Sequence, residues 1–238
     1  MLSARKVVAV SESLADEIML QYGKDAAAKL KVIHNPIDTD FWTPLAPLIR
    51  KGVREQLGFP DDSKVITFVA LGDFERKGLP VLLEAISILR GRQQDYRVLA
   101  VGPTAESIMS LVHKSGLDPA VVLAVGPQRD VRPYYAAADA FCLPSMYESA
   151  SLVMLEARAS GLPLVVAQVG YAKGLTESGG GILIDRTAAS VAQGLHQVLA
   201  SQSSSPYKLP TRYEIQHFYA AWEALVTENC VARIEPFR

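Results

Sequence analysis

The sequence has little of what marks several large protein classes. Only two cysteines occur in its 238 residues, Cys142 and Cys230, and they lie far apart without a metal-ligand spacing. A disulfide framework and a zinc motif are therefore not predicted. No apolar run approaches the roughly 20 residues that a membrane-spanning helix needs, and the short apolar run near the start does not resemble a signal peptide. These absences favour a cytoplasmic protein with reduced thiols.

Neither positive nor negative charge is in excess. The chain carries 24 Lys and Arg against 25 Asp and Glu, a formal net charge of -1, and has no basic block, so a nucleic-acid partner is not predicted. His113, His196 and His217 have no spacing partner for metal or nucleophilic chemistry. No Gly-x-Ser-x-Gly elbow occurs around the serines near position 150. No Gly-x-Gly-x-x-Gly fingerprint follows a strand, which argues against an oxidoreductase.

What the chain does have is a regular alternation of short apolar runs and amphipathic stretches. Runs rich in Val, Ile and Leu are typical of strands that are covered on both faces. Strands are predicted at 6–10, 31–34, 64–71, 96–101, 121–125, 139–143, 163–167 and 181–184. Helices are predicted at 11–22, 47–57, 78–90, 105–115, 131–137, 151–160 and 188–200. This order predicts an α/β fold with a Rossmann-like, doubly wound parallel sheet.

Three segments depart from the alternation. Residues 34–44 contain two prolines and are predicted to connect two domains. Residues 202–210 are polar and rich in serine, as expected of an exposed linker. Residues 211–226 are predicted to form a closing helix with four aromatic residues.

The most informative segment runs from Pro144 to Ala157. It places two carboxylates, Glu148 and Glu156, on either side of a helix start near Ser151. The unpaired N–H groups and the positive dipole end of a helix start suit a phosphate. Acids beside such an anion pocket suit hydroxyl groups, because a phosphate would be repelled by them. The combination predicts a nucleotide-sugar site. A glycosidase acid/base pair is the alternative, and it requires facing carboxyl groups at a defined distance.

Other candidate residues follow the predicted strands, where the carboxyl ends of a parallel sheet meet. Gly72 would let the backbone approach a ligand, and Lys77 would stabilise a departing diphosphate. Gly102 follows the next strand. The loop after a third strand contains the residues that would hold a base: Gly126, Gln128 and Arg129. Ordinary turns with solvated charges are the alternative interpretation of each.

The order of these motifs along the chain is more specific than any one of them. The first part of the pattern is VIHNPID at 32–38, then Gly72 to Gly78, then VGP at 101–103. The second part is YYAAADAFCLPS at 134–145, then Glu148-x7-Glu156, then SGLP at 160–163. Together, roughly over residues 30 to 200, the chain resembles the nucleotide-sugar-binding half of the retaining glycosyltransferases of the GT-B fold, family 4.

The resemblance implies a role for each matching residue. Glu156 would hold the ribose, Glu148 would contact the donor sugar near the reacting centre, and Lys77 would bind the diphosphate. Asp73 stands where the family has an arginine, so Arg76 would have to supply the second cation.

The loop after Glu148 also departs from the family's Glu-Gly-Phe-Gly pattern. It contains small residues whose backbone N–H groups still suit a phosphate, and all are candidates for substrate binding: Ser149, Ala150, Ser151 and then Leu152. The resemblance implies transfer with retention at the anomeric carbon and without a metal or other cofactor. The donor would be a UDP-, GDP- or ADP-sugar.

A domain organisation is implied as well. Residues 1–30 would be the end of an N-terminal domain, residues 31–200 the nucleotide-sugar-binding domain, and residues 201–238 a linker and a helix that crosses back. The N-terminal, acceptor-binding domain would then be missing, and the chain alone would bind donor weakly and transfer sugar poorly or not at all.

The resemblance further implies a setting in cell-surface polysaccharide or glycoconjugate synthesis. Membrane contact would be made only through the missing half, as in a cytoplasmic protein that lies at the membrane periphery. The alternative function is a non-catalytic nucleotide-sugar-binding or scaffold module, which the change at Asp73 and the altered loop both favour.

Overall fold

The computed structural model describes residues 3–90, 94–177, 179–201 and 209–231. The strands within these residues are β1 (Val7–Ala9), β2 (Leu30–Val32), β3 (Lys64–Val69), β4 (Tyr96–Val101), β5 (Val122–Ala124), β6 (Ala140–Leu143), β7 (Leu164–Ala167) and β8 (Gly181–Ile184). The α-helices are α1 (Glu12–Tyr22), α2 (Lys24–Ala27), α3 (Pro47–Gln56), α4 (Leu79–Leu89), α5 (Ala105–Lys114), α6 (Arg132–Ala137), α7 (Leu152–Ala159), α8 (Ala172–Thr176), α9 (Ala188–Ala200) and α10 (Ile215–Val231). Single 3₁₀ turns lie at Pro119–Val121 and Thr211–Tyr213.

Six of the strands form one parallel sheet in the order β5-β4-β3-β6-β7-β8. β3 pairs with β4 along its whole length, from Lys64 to Val69, and with β6 through Ile66 and Thr67. The chain passes from β3 to β4 on one side and from β6 to β7 on the other, so the strand order reverses between β3 and β6. Ligands of such sheets bind at this reversal, beyond the carboxyl ends of the strands. The predicted Rossmann-like α/β fold is confirmed.

Apolar helices cover this sheet. α4 buries a set of side chains completely, with the spacing of an apolar stripe on one helix face: Leu79, Leu82, Leu83, Ile86 and Leu89. α4 in turn packs against α9. Cys142 of β6 is fully buried, and burial raises the pKa of its thiol. This cysteine is therefore a packing residue and not a reactive thiolate.

β1 and β2 form a separate, two-stranded parallel sheet. α10 lies beside it, and Ala221, Ala224 and Leu225 border a cavity of about 120 Å³ against β2. Apolar side chains of the adjoining helices face solvent: Leu20 of α1 is 88% exposed and Tyr219 of α10 is 66% exposed. This part of the molecule therefore leaves apolar surface uncovered among the described residues.

Each of the predicted strands overlaps an observed strand, and the seven helices predicted up to residue 200 are confirmed to within one residue at each end. The short helices α2 and α8 were not predicted, because single turns carry little periodic signal. The helix predicted at 211–226 is wrong at its start, since a 3₁₀ turn at Thr211–Tyr213 and an extended Glu214 precede α10. Most of the linker predicted at 202–210 lies outside the described residues.

The division into residues 1–30, 31–200 and 201–238 stays a prediction. None of the helices in the described part of the chain has the length and hydrophobicity needed to cross a membrane.

Candidate functional site

The loops after β3 and β6 meet at the point where the strand order reverses. Lys77 in the first loop places its Nζ 2.6 Å from Oε1 of Glu148 in the second loop, although 71 residues separate them in the sequence. Both groups are largely enclosed, with side-chain exposures of 19% for Lys77 and 8% for Glu148. Two residues identified from the sequence as site candidates are thus neighbours in space, and their roles stay predictions.

Backbone geometry fixes the loop after β3. Gly72, Asp73 and Gly78 all have a left-handed backbone, with φ of 78°, 49° and 87°. A Cβ on Gly78 would lie 2.2 Å from the carbonyl oxygen of Pro144, so only glycine allows α4 to start against the second loop. Lys77 directly precedes Gly78, so the constrained backbone of this loop holds Lys77 in place.

Arg76 ties the same two loops together. Its carbonyl oxygen accepts the N–H of Met146 at 2.9 Å, and its guanidinium donates to the carbonyl oxygen of Tyr147 at 2.9 Å. The guanidinium also forms a salt bridge with Asp73, and this hydrogen bond lowers the pKa of Asp73 and raises the pKa of Arg76. The residue predicted to be a second cation for a diphosphate is therefore paired with a carboxylate in this structure.

The loop after Glu148 enters α7 through a strained turn. Ser151 has φ of 75° and ψ of 80°, a left-handed conformation that costs a residue with a Cβ about 1–2 kcal/mol. Its hydroxyl oxygen is buried and has no hydrogen-bond partner among the described residues. α7 begins at the next residue, Leu152, and the first N–H groups of a helix have no partner inside it. The N–H of Met154 donates to the carbonyl oxygen of Ser151 at 3.2 Å, which leaves the N–H groups of Leu152 and Val153 as the candidates for an anion, and the anion site stays a prediction.

Distant parts of the chain hold the two residues before Ser151. The hydroxyl of Ser11, which is buried at the N-terminus of α1, donates to the carbonyl oxygen of Ser149. The N–H of Tyr171 donates to the carbonyl oxygen of Ala150 at 3.0 Å. The turn is therefore fixed in one orientation. Neither Ser11 nor Tyr171 was predicted to support the site, because no local pattern indicates a contact between segments so far apart.

Glu156 lies one turn into α7 and is half-buried. Burial raises the pKa of its carboxyl group, and a hydrogen bond from the hydroxyl of Tyr135 to its Oε2, at 3.2 Å, opposes this effect. No salt bridge joins Glu156 to Lys77 in the described structure. α7 connects Glu156 to the Ser151 turn, and the place of Glu156 in the site stays a prediction. Tyr135 is part of the sequence motif at 134–145, but its contact with Glu156 was not predicted.

The remaining candidates lie farther along the same edge, at the ends of β4 and β5. The N–H of Gly102 donates to the carbonyl oxygen of Gly126 at 2.9 Å, which joins the two loops. A Cβ on Gly102 would lie 1.7 Å from a carbonyl oxygen at the end of β3. Gln128 donates from its side-chain amide to the carbonyl oxygen of Val125 at 2.7 Å, and Arg129 is exposed. The structure groups these residues with one another and not directly with Lys77.

A cleft of about 490 Å³ adjoins the Ser151 turn. Acidic side chains of α1, Glu12, Asp16 and Glu17, line one side of it, and the segment 168–177 lines the other. Gly170 lines the cleft and lies against the Ser151 turn, since a Cβ on it would lie 2.4 Å from the carbonyl oxygen of Ala150. This cleft was not predicted, because its two sides come from segments that lie far apart in the sequence.

The fold and the position of the site define the class: a Rossmann-like α/β domain whose candidate site lies at the carboxyl edge of a parallel sheet. The family model described as "Glycosyl transferases group 1" matches residues 63–201, which contain the whole six-stranded sheet. The chain belongs to this glycosyltransferase family. The resemblance identified from the sequence motifs is confirmed for the family and the fold.

Curated relatives carry glycosyltransferase names. A D-inositol 3-phosphate glycosyltransferase of Xylanimonas cellulosilytica is 32% identical over 198 residues, which are 76% of this chain and 46% of that protein. An uncharacterized glycosyltransferase of Methanocaldococcus jannaschii is 28% identical over 229 residues, 94% of this chain and 58% of that protein. The chain thus spans about half the length of the curated relatives it matches.

Solved structures show the same fold. HepE of Anabaena, in complex with UDP and glucose, matches with a TM-score of 0.80 and 22% identity, over 94% of this chain and 63% of that chain. Sucrose-phosphate synthase from Thermosynechococcus elongatus matches with a TM-score of 0.77 and 23% identity, over 97% of this chain and 59% of that chain. The fold is therefore that of the GT-B glycosyltransferases.

Proposed function

We propose that this chain is the donor-binding part of a glycosyltransferase that moves a sugar from a nucleoside-diphosphate sugar to an acceptor. The observation that carries the proposal is the contact between Lys77 and Glu148 at the reversal of strand order. A cation beside a carboxylate suits a ligand in which a diphosphate is next to sugar hydroxyls. The proposal is supported by the family of the chain and by the fold it shares with HepE, which is described in complex with UDP-glucose.

Each charged residue has a distinct part in the proposal. Lys77 and the N–H groups at the start of α7 stabilise the departing diphosphate with charge already in position. Glu148 orients the donor sugar, and Glu156 accepts hydrogen bonds from the ribose hydroxyls. Arg76 contributes a second cation only when its salt bridge with Asp73 opens.

The glycines and the loop after β5 complete the donor site. Gly72 and Gly102 allow the ligand to approach the backbone closely. Gly126, Gln128 and Arg129 contact the base, through backbone groups and a side-chain amide that is already fixed by a hydrogen bond. UDP, GDP and ADP donors are all compatible with this arrangement.

We expect transfer to retain the configuration at the anomeric carbon and to need no metal ion. Positive charge from Lys77 and the start of α7 is expected to take the part that a divalent cation plays at other diphosphate sites. Nuclear magnetic resonance of the product gives its anomeric configuration, and assays with excess chelator test the metal requirement. Inversion, or loss of activity that a divalent metal restores, would contradict these expectations.

We also propose that a second domain binds the acceptor and lies against the small β1–β2 sheet, where Leu20 and Tyr219 are exposed. Any membrane contact would be made by that domain. The proposed setting is the synthesis of cell-surface polysaccharide or glycoconjugate. Comparison of this chain with a longer polypeptide that includes such a domain tests the idea. We expect weak donor binding and little transfer by this chain alone, and robust transfer by this chain would contradict the proposal.

The central test is Lys77→Ala in the intact enzyme. Turnover should fall on the order of a hundredfold, the scale of losing one preorganised charge contact with the transition state. Lys51→Ala is the matched control, because Lys51 is 63% exposed on α3 and its salt bridge is with Glu55 of the same helix. Melting curves of both variants separate a loss of activity from a loss of folding. An unchanged rate for Lys77→Ala would remove this residue from the mechanism.

A non-catalytic nucleotide-sugar-binding or scaffold module is the second candidate. The salt bridge between Asp73 and Arg76 favours it, because it occupies a cation that diphosphate binding could use. Calorimetry with UDP, GDP and ADP measures binding, which both candidates require. Assays of the intact protein with radiolabelled donor separate them: binding without transfer or donor hydrolysis supports the module, and transfer excludes it.

A further inference from the structure

Tyr135 is a fully buried residue in the last turn of α6. Its ring lies between two other aromatic rings, with centroid distances of 6.0 Å to Trp42 and 6.2 Å to Phe141, both edge-on. Trp42 comes from the connection after β2 and Phe141 from β6. Because rings packed in this way leave little freedom for the side chain, the position of the Tyr135 hydroxyl is fixed.

The hydroxyl of Tyr135 points at α7. Its oxygen lies 3.2 Å from Oε2 of Glu156 and 3.3 Å from the carbonyl oxygen of Val153. A hydroxyl has one hydrogen to donate, and an ionised carboxylate is the stronger acceptor of the two. Burial and the neighbouring Glu156 raise the pKa of Tyr135 well above its usual value. The hydroxyl therefore keeps its hydrogen at neutral pH and can donate it to Glu156.

Glu156 depends on such a donor. Burial raises the pKa of this carboxyl group, whereas gripping two ribose hydroxyls requires the ionised form, which only accepts hydrogen bonds. Tyr135 is the one hydrogen-bond donor that reaches Glu156 within the described residues, and it binds Oε2. Oε1 makes no hydrogen bond to another described residue, so it is the oxygen that a ribose hydroxyl would use. The hydrogen bond to Oε2 therefore orients the whole carboxylate.

We propose that Tyr135 is a positioning residue that keeps the Glu156 carboxylate ionised and holds it in the orientation that binds the donor ribose. This inference rests on the proposed function, in which Glu156 holds the ribose. It adds a buried residue that does not touch the donor and acts only through Glu156.

The test is nucleotide binding by the full chain carrying Tyr135→Phe, which removes one hydroxyl and keeps the ring. Calorimetry from acid to neutral pH, with UDP, GDP and ADP and their 2′-deoxy counterparts as probes, gives two readouts. Nucleotide affinity should weaken on acidification as Glu156 protonates, and the pH at which half of this loss has occurred is the midpoint. In Tyr135→Phe the midpoint should rise by about one pH unit, and at pH values below both midpoints the variant should bind about tenfold more weakly than the wild type. The preference for the ribonucleotide over the deoxynucleotide should also decrease.

Two further variants keep the result specific. Tyr134→Phe is the matched control, since Tyr134 is the neighbouring, half-buried tyrosine and makes no described hydrogen bond to Glu156; both readouts should stay at the wild-type values. Replacement of Tyr135 by 3-fluorotyrosine keeps the ring and the hydroxyl but makes a stronger donor. The midpoint should then fall, so the proposal can be tested even if Tyr135→Phe does not fold.

Glu156→Gln distinguishes failure of this inference from failure of the proposed function. If Glu156→Gln loses the preference for ribonucleotides while Tyr135→Phe keeps both the midpoint and the preference, Tyr135 has no positioning role and the ribose site stands. If Glu156→Gln changes neither readout, Glu156 does not hold the ribose, and both the proposed role of Glu156 and the inference about Tyr135 are wrong.

Discussion

The six-stranded sheet and the two-stranded sheet are both built from parallel strands, but they differ in how completely they are covered. Nearly every residue of β3, β4, β6 and β7 is buried. β1 and β2 carry mostly half-buried side chains, and Leu20 and Tyr219 on the neighbouring helices face solvent. Parallel sheets are normally covered on both faces. The four central strands of the large sheet therefore form a covered core, whereas its edge strands β5 and β8 and the small sheet are only partly covered.

The candidate site lies where these two regions touch. Lys77 and Glu148 come from loops of the large sheet, whereas Ser11, which follows β1, donates to the carbonyl oxygen of Ser149 beside them. Stability is thus expected to depend mainly on the large sheet, and the geometry of the site on both regions. Substitutions in each region can separate these contributions.

The largest contrast is expected between two aromatic residues. Phe68→Ala, in the interior of β3, should cost about 3–5 kcal/mol of unfolding free energy, because it removes a fully buried ring. Tyr219→Ala, on the outward face of α10, should cost less than about 1 kcal/mol. Urea unfolding followed by circular dichroism measures both. Equal losses would show that the α10 face is covered in solution and would break the comparison.

Ser11→Ala should cost about 1–2 kcal/mol, because it removes both the cap of α1 and the hydrogen bond that links the two regions. Ser13→Ala is the matched control, one residue into the same helix, and should stay within about 0.5 kcal/mol of wild type. The same unfolding experiment applies. If the two variants were equally stable, the link between the regions would contribute nothing.

The smallest effect has the opposite sign. Ser151→Gly should stabilise the chain by about 1 kcal/mol, since glycine adopts the left-handed backbone without strain. Ser149→Gly, two residues earlier, is expected to lower stability slightly, because the change only adds freedom to the unfolded chain. Calorimetric melting curves compare the two. A loss of stability in Ser151→Gly would mean that its buried hydroxyl makes a stabilising contact.

Much of the large sheet could be predicted from the sequence, because its strands are apolar runs separated by helices with clear periodicity. Lys77 and Glu148 could be placed near each other for a related reason: the carboxyl ends of neighbouring parallel strands share one edge. The hydrogen bonds from Tyr135 to Glu156 and from Ser11 to Ser149 could not be predicted. They depend on how helices pack in three dimensions, which local sequence patterns do not describe.

The ion pair between Lys77 and Glu148 gives the candidate site its own internal counter-ion. A diphosphate that approaches Lys77 competes with a carboxylate for the same ammonium group, so its arrival must exchange one anionic partner for another. The displaced Glu148 then has oxygen atoms without a cation, next to whatever hydroxyl groups follow the diphosphate. Binding of the diphosphate at Lys77 would in this way make the Glu148 carboxylate ready to accept hydrogen bonds from the uncharged part of the same ligand.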